Sequence, residues 1–226
     1  MTRGILYIAW LGESGNRHVF ERLRKSIHSL RRFCDLPITI RTNAEKEDRD
    51  FLKFSFEDVH FKEVVIANTK KFKFKAKLEG FSDLPYDITI FCDTDTVFYD
   101  DPEKIIDEEV DLSICRQQDW TRYKRNEERM LDKHINTGFF IAKNSKPFKN
   151  LIRRAWKEAE AYESNESLSD PQGDQNFINA AINFSFDITM KILPQQWNVN
   201  EAIFESVENA KLIHTKCERL NTYRLI

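Results

Sequence analysis

Residues 87–97 constrain this chain more than any other stretch. Ile88-Thr89-Ile90-Phe91-Cys92 is almost wholly apolar, which predicts a strand buried on both faces, as in a parallel sheet covered by helices. It runs directly into Asp93-Thr94-Asp95-Thr96-Val97. Two carboxylates at the end of a buried strand require compensation. Ligand sites in open α/β sheets lie outside the carboxyl ends of the strands. A turn or bulge at residues 93–95 would let both carboxylates reach one hard cation, Mg2+ or Mn2+. That cation would neutralise a diphosphate, which a net-acidic protein otherwise repels.

The surrounding sequence supplies matching elements. Ile5-Leu6-Tyr7-Ile8-Ala9-Trp10 reads as another buried strand. Phe20, Leu23, Ile27, Leu30 and Cys34 recur at helical spacing and predict an amphipathic helix. Residues 37–40 and 62–67 read as strands, the latter around Val64-Val65-Ile66, and residues 72–81 as a basic helix. This alternation predicts an α/β fold, a mixed sheet with parallel members flanked by helices. Further on, strands are expected at residues 110–115, 137–142 and 188–193. Phe148, Leu151, Ile152, Ala155, Trp156, Ala159 and Tyr162 trace one face of a long helix. Residues 164–173 read as a loop, 174–184 as a helix opened by Asp174, and the polar stretch 116–133 as solvated surface.

Composition narrows the function classes. The 35 basic and 37 acidic residues give a net charge of −2, which makes no case for nucleic acid or an anionic membrane as partner. Cys34, Cys92, Cys115 and Cys217 show no CxxC spacing and read as reduced, buried thiols of a cytoplasmic protein. The N-terminal apolar stretch is too short for a signal peptide and reads as the first strand. No stretch is long enough to span a membrane, and a removed anchor is compatible with this reading.

Several short motifs follow in a telling order. Lys77 precedes the Asp93-Thr94-Asp95 strand end; Asn136-Thr137-Gly138 opens a strand; Asp174-Gln175 opens a helix; Leu193-Pro194-Gln195-Gln196-Trp197-Asn198 precedes Leu212-Ile213-His214. Together these resemble the GT-A nucleotide-sugar transferases, most closely glycosyltransferase family 8, the glycogenin and lipopolysaccharide galactosyltransferase group. The resemblance implies a Rossmann-like GT-A fold and a single domain over residues 1–226. Residues 1–100 would be its nucleotide-binding half, and residues 101–226 would serve the donor sugar and acceptor. It implies transfer from a nucleotide-diphosphate sugar, a UDP-sugar first, to a glycan, protein or lipid acceptor. It assigns the metal, Mn2+ or Mg2+, to Asp93, Asp95 and His214. The donor falls to Lys77, Thr94, Asn136, Thr137 and Gly138, and the nucleotide base to Ala9, Trp10 and Leu11. Asp174 and Gln175 would face the reacting carbon. The family usually follows its late histidine with Gly and then Lys-Pro-Trp. Here His214-Thr215-Lys216-Cys217-Glu218-Arg219 departs from that, leaving Lys216 or Arg219 as candidate substitutes.

Simpler readings stand beside these. Asp174 also suits a helix N-cap, Asn136-Thr137-Gly138 a turn, and Lys77 one of a solvated row with Lys70, Lys71, Lys73 and Lys75. Trp197 reads as core; His18, His28, His60 and His134 receive no role. One rival function is a haloacid-dehalogenase-type phosphatase, with Asp93 as nucleophile and Asp95 as general acid and base. That motif normally sits on the first strand, whereas here some ninety residues, with three strand-like segments and two helices, precede it. The other rival is a non-catalytic nucleotide-sugar binding protein.

Overall fold

A computed structural model describes residues 1–10, 18–44, 46, 49–50, 59–63, 75–117, 134–163, 174–200 and 209–215. Its main sheet has seven strands in the order β3-β2-β1-β4-β7-β6-β8. These are β1 Arg3–Ala9, β2 Ile38–Thr42, β3 Val59–Glu63, β4 Ile88–Cys92, β6 Leu112–Arg116, β7 Ile135–Lys143 and β8 Met190–Ile192. All neighbours pair in parallel except β7, which runs antiparallel to both β4 and β6. A second sheet, β5-β10-β9, joins Thr96–Phe98, Leu212–His214 and Val199–Asn200.

Two cores sandwich the main sheet, and the strands alternate between them. Along β1, Ile5, Tyr7 and Ala9 enter one core with Phe20, Leu23, Ile27 and Leu30 of α1, His18–Leu30. Leu6 and Ile8 enter the other. That second core is closed by α2 (Lys75–Ser82), α3 (Lys146–Glu163) and α4 (Asp174–Asn183). Phe81, Phe91 and Phe140 pack there with ring centroids 4.7–5.0 Å apart, tying α2 to β4 and β7. Among the described residues no helix is long and apolar enough to cross a membrane.

The differences from the sequence reading have physical causes. The third strand is described over residues 59–63, so it begins before the expected 62–67 and shares residues 62–63 with it; residues 64–67 lie outside the described set. It is an edge strand on which Val59 faces inward and His60 outward, so alternation marks it rather than a continuous apolar run. The first helix ends at Leu30; Cys34 lies beyond it yet still packs in the same core. The α2 helix is described from Lys75, and residues 72–74, 118–133 and 164–173 lie outside the described set. The small second sheet was not anticipated, because strands of two or three residues carry no period. Cys34, Cys92 and Cys115 are free and buried, and burial pushes the Cys34 and Cys115 thiols up to about 12. Cys217 lies outside the described residues.

Candidate active site

The strand order reverses at β1: β2 and β3 lie to one side of it and β4 to the other. Ligands of open α/β sheets bind at the carboxyl edge of such a switch point. Because β7 is antiparallel to β4, its beginning meets the end of β4, with Cys92 opposite Phe139. There the pairing of β6 with β7 jumps, from Ile114 opposite Phe140 to Cys115 opposite Asn136. The irregularity releases residues 137–139 from the β6 ladder at this edge.

The turn after β4 is held on both sides. The Asp93 amide donates to the Gly138 carbonyl at 2.8 Å, and the Thr96 hydroxyl donates to the Asp93 carbonyl at 2.9 Å. That second bond fixes a chain of buried hydroxyls. With its proton on Asp93 O, Thr96 must accept from Ser26 (2.9 Å), and Ser26 from Tyr7 (3.0 Å). The Asp95 carbonyl accepts from the Thr215 amide at 2.9 Å, which anchors the end of β10. His214 lies opposite Thr96 in the β5–β10 pair. Its Nε2 is 3.0 Å from Asp95 Oδ1 and 3.5 Å from Asp93 Oδ2. One ligand atom from each of the three residues lies within 4.8 Å of the others. Two carboxylates and an imidazole at that spacing are a donor set that fits a divalent cation such as Mn2+ or Mg2+.

Lys77 and Asp174 complete the charged cluster. The Lys77 ammonium is 2.7 Å from Asp93 Oδ1 and 3.4 Å from Asp174 Oδ1. The buried Thr137 hydroxyl donates to Asp174 Oδ2 at 2.8 Å. Burial alone would lower the Lys77 pKa, but Asp174 and Asp93 hold it above the ordinary lysine range. Burial raises Asp93 against the opposing pull of Lys77 and His214. Burial pushes Asp95 upward too, yet His214 overrides it and holds Asp95 below its usual value. Burial would also lower His214; Asp95 and Asp93 reverse that and raise it to about 9.

A net of amides lies beside these charges. The Asn136 side-chain carbonyl accepts from the Gly138 amide and from Asn198 Nδ2, both at 2.8 Å. Asn136 Nδ2 and Gln175 Nε2 both donate to Gln117 Oε1, at 2.8 and 3.1 Å. Gln175 Oε1 accepts from the Thr137 amide at 3.3 Å.

The fold thus brings Lys77, Asp93, Asp95, Thr137, Asp174 and His214 into direct contact, with Asn136, Gly138 and Gln175 around them. Thr94 sits half-buried in the turn. Tyr7 pairs with Cys92, so Ala9 and Trp10 lie at the same edge; Ala9 is buried in the α1 core, and Trp10 packs against the opposite core. Leu11, Lys216 and Arg219 lie outside the described residues. Gln117 and Asn198 received no role from the sequence. Asn198 closes the Leu-Pro-x-x-x-Asn motif, a signal that was present; Gln117 had none. A second grouping, Cys34 with Asp101 and Glu103, is structural. There Asp101 caps a 3-10 turn by accepting the Glu103 amide, and burial keeps the thiol protonated.

Residues 36–223 match the family described as nucleotide-diphospho-sugar transferase. The chain belongs to that family. This transferase has the GT-A fold and is a glycosyltransferase. It is similar to mouse xyloside xylosyltransferase 1 in its apo form, with a TM-score of 0.64 at 13% identity over 96% of this chain and 98% of that one. It is similar to the galactosyltransferase LgtC, solved with donor and acceptor sugar analogs, with a TM-score of 0.63 at 13% identity over 94% and 86% of the two chains. It is also similar to the glycosyltransferase GlyE of Streptococcus pneumoniae TIGR4, with a TM-score of 0.61 at 16% identity over 94% of this transferase and 55% of that chain. At these identities the likeness speaks for the fold alone. No curated protein matches the sequence significantly.

Proposed function

We propose that this transferase moves a sugar from UDP to an acceptor hydroxyl, as a single domain, and needs Mn2+ or Mg2+ held by Asp93, Asp95 and His214. The observation that carries the reading is the convergence of these three side chains at the carboxyl end of β4, beside the Lys77–Asp174 pair. When bound, the cation supplies Lewis-acid neutralisation of the leaving diphosphate. Lys77 donates to a diphosphate oxygen beside it, a contact suited to an ammonium that neighbouring carboxylates keep charged. Asp174, oriented by Lys77 and Thr137, accepts hydrogen bonds from donor-sugar hydroxyls. Gln175 is clamped between Thr137 and Gln117, so its carbonyl has a fixed direction. It stabilises positive charge at the anomeric carbon while the bond to diphosphate breaks and the acceptor oxygen bonds, its proton passing to the departing diphosphate. Asn136, Thr137, Gly138 and Thr94 shape the donor pocket, and the nucleotide base falls to Ala9 and Trp10 at the end of β1 and to Leu11, which follows them in the sequence.

A phosphatase would use Asp93 as its nucleophile, and membership in a transferase family replaces that alternative. A non-catalytic binder is separated by turnover. The test is a screen of nucleotide sugars for released nucleotide, with Mn2+ and with EDTA. Release from a UDP-sugar only with the metal is expected. Undiminished release in EDTA contradicts the metal reading, and binding without release would favour the binder.

A further inference from the structure

The outer face of α3 lies apart from the active site. Residues 146–157 hold Lys146, Lys149, Arg153, Arg154 and Lys157 and no acid. All five are exposed, while Phe148, Leu151, Ile152 and Ala155 bury the opposite face. A basic row alone is ordinary solvated surface. A second observation sets this one apart: Phe184 and Phe186, just past the end of α4, are 65% and 94% exposed.

The two features form one surface. Arg154 donates to the Phe184 carbonyl and, at 3.3 Å, to the Ser185 hydroxyl. Asn150 donates to Asp187 at 3.4 Å and accepts from Arg153 at 2.9 Å. Lys149, Arg153 and Trp156 also line a groove of about 280 Å³ between α3 and α2. The acids at hand are Glu79 in that groove, Asp187 beside the loop, and Glu158 and Glu160 just beyond the row on α3, four against its five bases. The chain is net acidic, so the uniformly basic row at residues 146–157 runs against its overall charge. Over residues 146–157 the row extends roughly 16 Å along the helix. Two bare aromatic rings beside an extended basic row match an anionic lipid surface: rings enter the headgroup boundary while Lys and Arg meet lipid phosphates.

We propose that this face docks the protein on an anionic phospholipid bilayer, with Phe184 and Phe186 inserted and the basic row of α3 against the headgroups. The proposal is independent of the metal and donor assignments. Asp174 opens α4 at the active site and Phe184 follows its far end, so changes at the patch leave the catalytic groups untouched.

The test is flotation of the full chain with vesicles of phosphatidylcholine, alone or mixed with phosphatidylglycerol. Flotation is expected only with the mixed vesicles, and less of it at high salt. Phe184→Ser/Phe186→Ser and Lys149→Glu/Arg153→Glu should each reduce the bound fraction by about tenfold or more, with melting temperature and nucleotide release in solution unchanged. Phe186→Ser alone, at the most exposed position, should give a smaller loss. Absence of wild-type flotation, equal flotation on neutral vesicles, or wild-type flotation of the charge-reversed variant would each overturn the proposal. A wild-type dimer that the Phe variant converts to a monomer would also overturn it, making the face a protein interface.

Discussion

Gly138 and His214 occupy each other's space: a Cβ at position 138 would lie 2.5 Å from both Cε1 and Nδ1 of the His214 ring. The glycine in the Asn-x-Gly segment is therefore required by the imidazole that faces Asp93 and Asp95. The next nearest atom, Asn136 Oδ1, lies at 3.0 Å, and all three belong to side chains, so a larger residue displaces the ring and leaves the sheet intact.

Gly138→Ala should therefore fold with little loss of melting temperature and bind Mn2+·UDP about 10- to 100-fold more weakly, the usual effect of disturbing a ligand's support. Calorimetry on the variant checks this. Wild-type affinity would show that the ring position is irrelevant to the metal.

The protonation of His214 gives a pH signature. Its pKa in the metal-free protein is about 9, so a cation binding at neutral pH must displace a proton. Affinity for Mn2+ should rise about tenfold per pH unit between roughly pH 7 and 9 and level off above. The metal-free protein should move the other way. A histidine whose pKa is raised by folding contributes stability that is full below about 6.5 and is lost as pH rises through about 9. Titrations of affinity and melting temperature over this window test both signs; a flat affinity would remove His214 from the ligand set.

The hydroxyl chain from Tyr7 through Ser26 and Thr96 ends on the carbonyl of Asp93. Thr96→Val keeps the shape of a fully buried residue and deletes the last donor. It should cost about 1–3 kcal/mol of stability, because Ser26 and the carbonyl lose their partner. It should also weaken metal binding, while Thr96→Ser restores both. Denaturant unfolding and Mn2+ titration measure the two effects; an unaltered metal affinity would confine the chain to structure.

Much of this was legible in the sequence, for identifiable reasons. The β1 and β4 strands are buried on both faces, so their apolar runs are continuous, and α1 and α3 carry apolar residues at helical spacing. The start of the β3 edge strand was missed because Val64-Val65-Ile66 is more apolar than the alternating 59–63 segment. Asp93 and Asp95 were visible from their place at a buried strand's end. His214 was visible only through motif order, since it reaches them by a three-residue strand pairing with β5. The contact of Gly138 with His214, and the seat of Gln117 between Asn136 and Gln175, are products of tertiary closure at the β6–β7 irregularity. No local pattern announces them.

In the proposed mechanism Asp93, Asp95 and His214 hold a cation that binds the donor's diphosphate. Calorimetric titration of UDP into the protein, with Mn2+ and with EDTA, tests it most directly. Tight binding with Mn2+, weak binding in EDTA, and loss of the metal's effect in a folded Asp95→Ala variant are predicted. UDP affinity that is the same in EDTA, or a metal effect that survives Asp95→Ala, would contradict the account.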